Sequence, residues 1–444
     1  MPNKKFTGLR ETETSEIKGF RKLSPRARIE LLKQKTNLLD KEWLTISDQK
    51  NFSLDIANGM IENVVGTFQI PLGIATNFLI NNNDYLIPMA VEEPSVIAAA
   101  SHMAKLVRKS GGFKTTSTDP IMRAQIQLLD IVDSEVAKKV LLDFKADIIS
   151  LANSKDKTLV RLGGGCKSIE VETFLETLVG PMTVLHLLVD VRDAMGANTV
   201  NAMAETVAPL LEQITGGRAK LKILSNLTDL RLARADIKIP VSDLSFSNFS
   251  GEIVAKGIIE AYALAQVDPY RAATHNKGIM NGVDSVVLAT GNDWRAIEAG
   301  AHAWAARGGS YAPLSTWKLD SAGHLIGSIE LPLAVGLIGG ATKTHPTSRA
   351  CINLLGVQSA SELSEVLAAV GLAQNMGALR ALATEGIQKG HMSLHARNIA
   401  LAAGVTDPDI DLVCEYMIRA NNISVDEAIK YSSKINPTGH RDPN

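Results

Sequence analysis

Between about residue 120 and residue 225 the chain changes texture, and this change constrains the fold more than any other feature of the sequence. PIMRAQIQLLDIV predicts an amphipathic helix and ADIISLANS a strand; KSIEVETF and PMTVLHLLVDVRD read as further strands, TVNAMAETVAPLLEQITGG as a helix and AKLKILSNL as a last strand. Together these segments describe a compact α+β domain inserted between two parts of a larger one. Ahead of it, LSPRARIELLKQ reads as a helix opened by Ser-Pro, and FLINNNDYLIPMAVEEP as a β-hairpin turning at Asn81 to Asp84. PSVIAAASHMAKLVRKSGG is a buried helix stopped by two glycines. Behind the insertion, FSGEIVAKGIIEAYALAQ resumes a helix and LSTWKLDSAGHLIGSIELP a hairpin. Glycine-rich VGLIGGATKTHP then leads into several helices, the last of them after His391.

At 444 residues the chain has room for about two or three domains. Its 45% hydrophobic and 21% charged residues exclude a disordered chain, and a net charge of -1 gives no electrostatic case for nucleic acid. Cys166, Cys351 and Cys414 are far apart and have no metal-ligand spacing, which fits a reducing interior. The start, MPNKKFTGLRETETSEIKGF, lacks the apolar core of a secretory signal, and no run of about 18 apolar residues occurs, so a cytoplasmic protein without a membrane span is expected.

Four places carry polar groups suited to chemistry. VEEPSV sets Glu92, Glu93 and Ser95 at the mouth of the alanine-rich helix, where carboxylates also serve as ordinary caps. AATHNKGIMNG holds one lysine, Lys277, among small and amide side chains, either a solvated surface-loop lysine or a cation prepared for negative charge. ATGNDWRA places Asp293 before a helix, which an N-cap alone would explain. GHMSLHARN spaces His391 and His395 one helical turn apart, but no glutamate or further ligand completes a metal set, so no metal is expected. Neither GxGxxG nor GxxxxGK[ST] is present. Instead DAMGAN, Asp193 to Asn198, opens a helix whose free N–H groups would hold a pyrophosphate, and Gly163 to Gly165 form a second close turn.

ENVVGTFQIPLGIA, PMAVEEPSV, DVRDAMGAN, AATHNKGIMNG, ATGNDWRA and GHMSLHARN together resemble 3-hydroxy-3-methylglutaryl-coenzyme A (HMG-CoA) reductase, closest to its soluble bacterial class (class II). The resemblance spans nearly the whole chain in one order. It implies an α+β fold: a large CoA-substrate domain (1–119 and 226–385), an inserted ferredoxin-like, non-Rossmann NAD(P)-binding domain (120–225), and a C-terminal helical flap (386–444). Carried over by motif, the catalytic set is Glu93, Lys277, Asp293 and His391. Lys277 would stabilise the oxyanion formed when hydride reaches the thioester carbonyl. Glu93 would donate a proton in the second reduction, with Asp293 beside it favouring the protonated form. His391 would protonate the departing thiolate, since a thiol titrates near pH ~8.5 and an imidazolium donates at neutral pH.

The same resemblance assigns Arg21, Ser95, Asn226, Arg271 and Asn281 to substrate, Arg271 pairing the free glutaryl carboxylate. It assigns Asp193, Met195, Gly196 and Asn198 to the dinucleotide. Asp156 would accept from the adenosine ribose and disfavour a 2'-phosphate, so NADH is expected, while Lys155 and Lys157 beside it leave NADPH open. NADH use would match members that oxidise mevalonate, and NADPH use those that make it for isoprenoids. The implied partners are HMG-CoA, mevalonate and coenzyme A, in a homodimer or an assembly of dimers with active sites between subunits. Two other classes remain: a CoA-dependent acyl transferase or lyase, which leaves DAMGAN unexplained, and a non-catalytic CoA-ester binder, against which all four catalytic positions argue.

Overall fold

The computed structural model describes residues 8–48, 52–384, 396–406 and 408–435. Among them, strands β1 (Leu72–Ile80) and β2 (Asn83–Ala90) form a hairpin. Its turn residues Asn81 and Asn82 stand at φ 48° and 66°, the left-handed region that asparagine tolerates and tight hairpins require. A second antiparallel sheet runs in the order β3 (Lys114–Ser117), β8 (Leu232–Pro240), β10 (His324–Pro332), β9 (Ser315–Leu319). Against these sheets pack four helices, Val96–Lys109, Gly251–Val267, Pro269–Ala289 and Ala360–Ala383, in one large apolar core. The Ala360–Ala383 helix is long and apolar enough to cross a membrane, and it lies at the centre of that core.

The inserted segment builds its own sheet in the order β5 (Gly165–Phe174), β6 (Met182–Asp190), β4 (Ile121–Leu129), β7 (Arg218–Leu224). Its chain order is strand, helices, strand, strand, helix, strand, with the first strand between the third and the last, which is the ferredoxin-like topology. Two local expectations fail here. PIMRAQIQLLDIV forms β4 rather than a helix: Met122, Ala124, Ile126 and Leu128 are buried while the residues between them point outward, a period of two. ADIISLANS lies in the helix Lys145–Ser154, which buries Ile148 and Ala152, four residues apart. The inward face of β4 packs on Val200, Met203, Val207 and Leu211 of the helix Ala197–Thr215, closing a second core.

Two smaller clusters complete the chain. Leu9, Ile17, Leu32 and Trp43 pack on Leu86 and Leu354, tying the N-terminal helices to the large core. Ala396, Ala400, Val405, Ile410, Val413, Met417 and Ala428 form a C-terminal helical cluster, with Tyr416 and Tyr431 stacked at 3.8 Å. His391 and His395 lie outside the described residues.

Candidate active site

AATHNKGIMNG is not a loop. It is the middle of the helix Pro269–Ala289, started by Pro269 and by Asp268, whose carboxylate accepts from the Arg271 N–H at 2.9 Å. Ile279, Met280, Val283, Val286 and Val287 face the core. Gly282 lets the Ala360–Ala383 helix approach: a Cβ there would stand 3.0 Å from Gln374 Cβ and 3.1 Å from Val370 Cγ1. The remaining stripe, Arg271, Thr274, Lys277, Gly278 and Asn281, lines a cavity of about 1500 Å³.

The opposite wall is the turn after β2. Lys277 Nζ donates to Glu93 Oε2 at 2.7 Å, with the two side chains 61% and 34% exposed. An ion pair this open contributes only about 0–1 kcal/mol to stability, so it is the reachable charge that matters. Ser95 holds φ 74° and does not use its hydroxyl to cap the helix that follows. Strain of this kind in a non-glycine residue gathers at ligand sites. The N-terminal segment brings Arg21 to the same cavity. Lys22, Arg28, Lys105, Arg271, Lys277 and Arg380 add further cations against the carboxylates Glu16, Glu92 and Glu93, a balance suited to an anionic ligand.

Beneath the lysine lies a network that motif reading missed. His275 Nε2 meets Ser315 Oγ at 2.7 Å and Asn375 Nδ2 at 3.1 Å, and Asn375 Oδ1 accepts from Ser315 Oγ and from Trp317 Nε1, each at 2.8 Å. Burial, and then the charge of Arg271, push the His275 imidazole down to about 3, so it is neutral at physiological pH. Asn276 next to it donates to Ala312 O and accepts from the Leu314 N–H, both at 2.9 Å, fixing the helix against the approach to β9. His275 and Asn276 stand inside the lysine motif, and that adjacency was the only sequence signal for this floor.

A second group of candidate residues gathers elsewhere. Asp293 caps the helix Trp294–Ala305, accepting from the N–H groups of Arg295 and Ala296 at 3.1 and 3.2 Å. The preceding Asn292 accepts from the Gly336 N–H at 2.8 Å, and Gly336 lies so close to DAMGAN that a Cβ there would come within 2.5 Å of Met195 N. Asp193 is held on both sides: Oδ1 accepts from Ala360 N–H and its carbonyl from Leu337 N–H, each at 2.8 Å. Arg231, buried and pushed down to about 10 by desolvation, donates to Ala194 O at 3.1 Å and so braces the loop from below. Gly196, at φ 95°, then opens the helix Ala197–Thr215 without any side-chain cap, and Asn198 sits in that first turn. Asp156 reaches the same turn, since Thr199 Oγ1 donates to Asp156 Oδ2 at 3.3 Å, while Oδ1 caps its own helix through Leu159 N–H. Gly163 to Gly165 serve packing instead: a Cβ at Gly164 would stand 2.7 Å from Asp190 O, and one at Gly165 2.5 Å from Asn153 Oδ1.

Within one chain these groups do not merge. Lys277 lies twelve residues before the end of its helix at Ala289, about 18 Å along the axis, and Asp293 follows that end. Arg21, Glu93, Ser95, Arg271, Lys277 and Asn281 line the cavity, and Asp293 and Asn226 are not among its lining residues. Asn226 packs on the Asp293 helix, its carbonyl 2.6 Å from where a Gly300 Cβ would be.

The sequence model of the hydroxymethylglutaryl-coenzyme A reductase family matches residues 24–396. A 3-hydroxy-3-methylglutaryl-coenzyme A reductase of Archaeoglobus fulgidus is 53% identical over 95% of this chain and 94% of its own length. A probable reductase of the same name from Borreliella burgdorferi is 35% identical, over 89% of this chain and 92% of its own. Among solved structures, a Streptococcus pneumoniae 3-hydroxy-3-methylglutaryl-coenzyme A reductase superposes with a TM-score of 0.81 at 38% identity, covering 94% of this chain and 99% of that one. A class II structure from the same organism, bound to NADPH in open conformations, gives 0.79 at 38% identity, covering 93% and 100%.

Proposed function

This chain belongs to the hydroxymethylglutaryl-coenzyme A reductase family of NAD(P)-dependent oxidoreductases, and from that premise we propose the residues, the cofactor preference and the assembly through which it works. It interconverts HMG-CoA with mevalonate and coenzyme A. The observation that carries this reading is the Lys277–Glu93 pair on the wall of a large cationic cavity. Arg271 and Asn281, on the lysine's own helix, hold the glutaryl end, and Ser95 and Arg21 hold the rest of the thioester. Lys277 stabilises the oxyanion at the reacting carbonyl; a single such donor is typically worth roughly 2.7–4 kcal/mol in the transition state. Glu93, held by Lys277, moves the proton at the aldehyde oxygen, and His391 protonates the departing thiolate.

The residues present fit a dinucleotide. The uncapped N-terminus of the Ala197–Thr215 helix, with Gly196, Met195 and Asn198 around it, takes the pyrophosphate, and Asp193 holds the loop in place. When bound, the cofactor supplies the two hydride equivalents of the reaction. Asp156, one hydroxyl away from that turn, favours a ribose 2'-OH over a 2'-phosphate, so NADH is preferred and mevalonate oxidation is the physiological direction. NADPH-dependent synthesis is the second reading, supported by Lys155 and Lys157 beside Asp156 and by the NADPH bound in the Streptococcus relative.

The separation of the two groups within one chain supports a homodimer. A two-fold axis that set the Asp293 and DAMGAN side of one subunit against the Lys277 cavity of the other would assemble two complete sites. The direct test follows nicotinamide absorbance with HMG-CoA plus NADH or NADPH, and with mevalonate, coenzyme A and NAD or NADP. Turnover that is faster with the NAD couple is expected. Faster NADPH turnover would reverse the preference, and none with any pair would leave a CoA-ester binder.

A further inference from the structure

The helix that carries Lys277 and the helix capped by Asp293 are joined by a cluster that none of the roles above uses. Asp284 lies seven residues beyond Lys277, two turns along the same helix, and Asn281 lies between them on the same stripe. Its carboxyl lies within hydrogen-bonding reach of the carboxyl of Glu298, five residues beyond Asp293 on the next helix. Glu298 Oε2 also accepts from His302 Nε2 at 2.5 Å, and His302 Nδ1 meets the Tyr311 hydroxyl at 2.7 Å. One oxygen of Asp284, Oδ1, is buried and has no hydrogen-bond partner among the described residues.

Two carboxyl groups bond directly only if one of them carries a proton, because two buried carboxylates repel and neither can donate. We propose that Asp284 and Glu298 share one proton, and that this acid pair, extended through His302 to Tyr311, is a positioning device that clamps the Lys277 helix to the Asp293 helix. The assignment of the proton follows the surroundings. His302, on Glu298's own helix, stabilises Glu298 as the anion, and Asp284, on which no cation acts among the described residues, keeps the hydrogen. Burial and then Glu298 push the Asp284 carboxyl up to about 9, while Glu298 itself is pushed down, first by His302. Tyr311, from the segment before β9, faces His302, and Glu330 of β10, on the strand packed against this helix, acts on Arg234 instead. The roles given to Lys277 and Asp293 are those proposed above, so the catalytic half of this inference rests on that reading. The proton itself does not.

The test uses the full-length protein and two variants. Asp284→Asn keeps a donor to Glu298 and removes the titration; Asp284→Ala removes both. A folded state that holds a proton the unfolded chain has lost becomes less stable as pH rises from the unfolded carboxyl range toward 9. The thermal midpoint of Asp284→Asn relative to wild type should therefore climb by several degrees between pH 5 and pH 8 and level off near pH 9. A difference that stays constant with pH would overturn the shared proton. At pH 7, Asp284→Asn should keep kcat within about threefold, and Asp284→Ala should lose about tenfold or more in kcat at nearly unchanged KM for HMG-CoA, tenfold being 1.4 kcal/mol of transition-state positioning. If Asp284→Ala loses thermal stability and keeps its kcat, the pair is packing only and the clamp is wrong. Should wild type turn over no HMG-CoA at all, the reductase reading fails, while the pH dependence of the midpoint still decides whether the proton is there.

Discussion

At the level of single residues, the site rests on a histidine held neutral at physiological pH. His275 bonds Ser315 and Asn375 under the lysine helix, and its pKa is depressed far below that of an exposed imidazole. The sign of the linkage is fixed: its contribution is complete above the unfolded value near 6.5 and is lost as pH falls toward about 3, because the unfolded chain takes up a proton that the folded one refuses. By pH 5 this single group costs about 2 kcal/mol, at about 1.4 kcal/mol per pH unit. Replacing it, as in His275→Gln, should lower stability at pH 7 and flatten the acid side of the stability curve; urea midpoints that fall in parallel with wild type between pH 7 and pH 5 would refute this role. Asp156 makes a second residue-scale case. Asp156→Ser keeps a cap for its short helix but removes the charge proposed to oppose a 2'-phosphate, so the ratio of kcat/KM for NADPH over NADH should rise about tenfold or more, or roughly 1.4 kcal/mol. An unchanged ratio would place cofactor choice elsewhere.

Elements explain why these residues stand where they do. DAMGAN is not a free loop: Gly336, Leu337 and Arg231 fasten it, and the N-terminus of the central Ala360–Ala383 helix is satisfied by Asp193. Gly336→Ala sets a methyl group within 2.5 Å of Met195 N, against backbone that has no side-chain freedom to move away. The loop must shift, so KM for the nicotinamide should rise about tenfold, roughly 1.4 kcal/mol, while KM for HMG-CoA changes little. Equal rises in both would mean that the strain spreads into the cavity. The same elements mark how far the sequence could be read. The β1–β2 and β9–β10 hairpins and the Val96–Lys109 and Ala197–Thr215 helices were legible because turn asparagines, stop glycines and a single period agree in each. β4 was misread because Leu128 and Leu129 continue an apolar run that also fits a helix, and only the partner strands β6 and β7 decide it. In the lysine segment the surface-loop reading fails because Gly282 is a helix-crossing position, which only Val370 and Gln374 on the other helix reveal, while Gly278 lines the cavity. The cavity residues Glu93, Ser95, Arg271 and Asn281 were legible through motif order, whereas the His275 floor and the Arg231 brace depend on long-range partners that no local pattern announces.

For the whole molecule, the proposed roles require Lys277 and Asp293 to act on one substrate. Lys277 stands in the middle of a rigid helix whose core face is fully packed, and Asp293 lies beyond that helix's C-terminal end, so no rotation of side chains within one subunit brings them together. The proposed two-fold pairing of subunits would do so, and it predicts complementation. Lys277→Ala and Asp293→Asn homodimers should each be inactive. When the two variants are mixed, unfolded and refolded together, half of the dimers pair unlike subunits. In such a hybrid one site combines both lesions and the other combines both intact residues, so about a quarter of wild-type activity should return. KM in the mixture should equal that of wild type, because the restored sites are complete. If catalysis were confined to single chains, every site in the mixture would carry one lesion and activity would stay at the level of the separate variants.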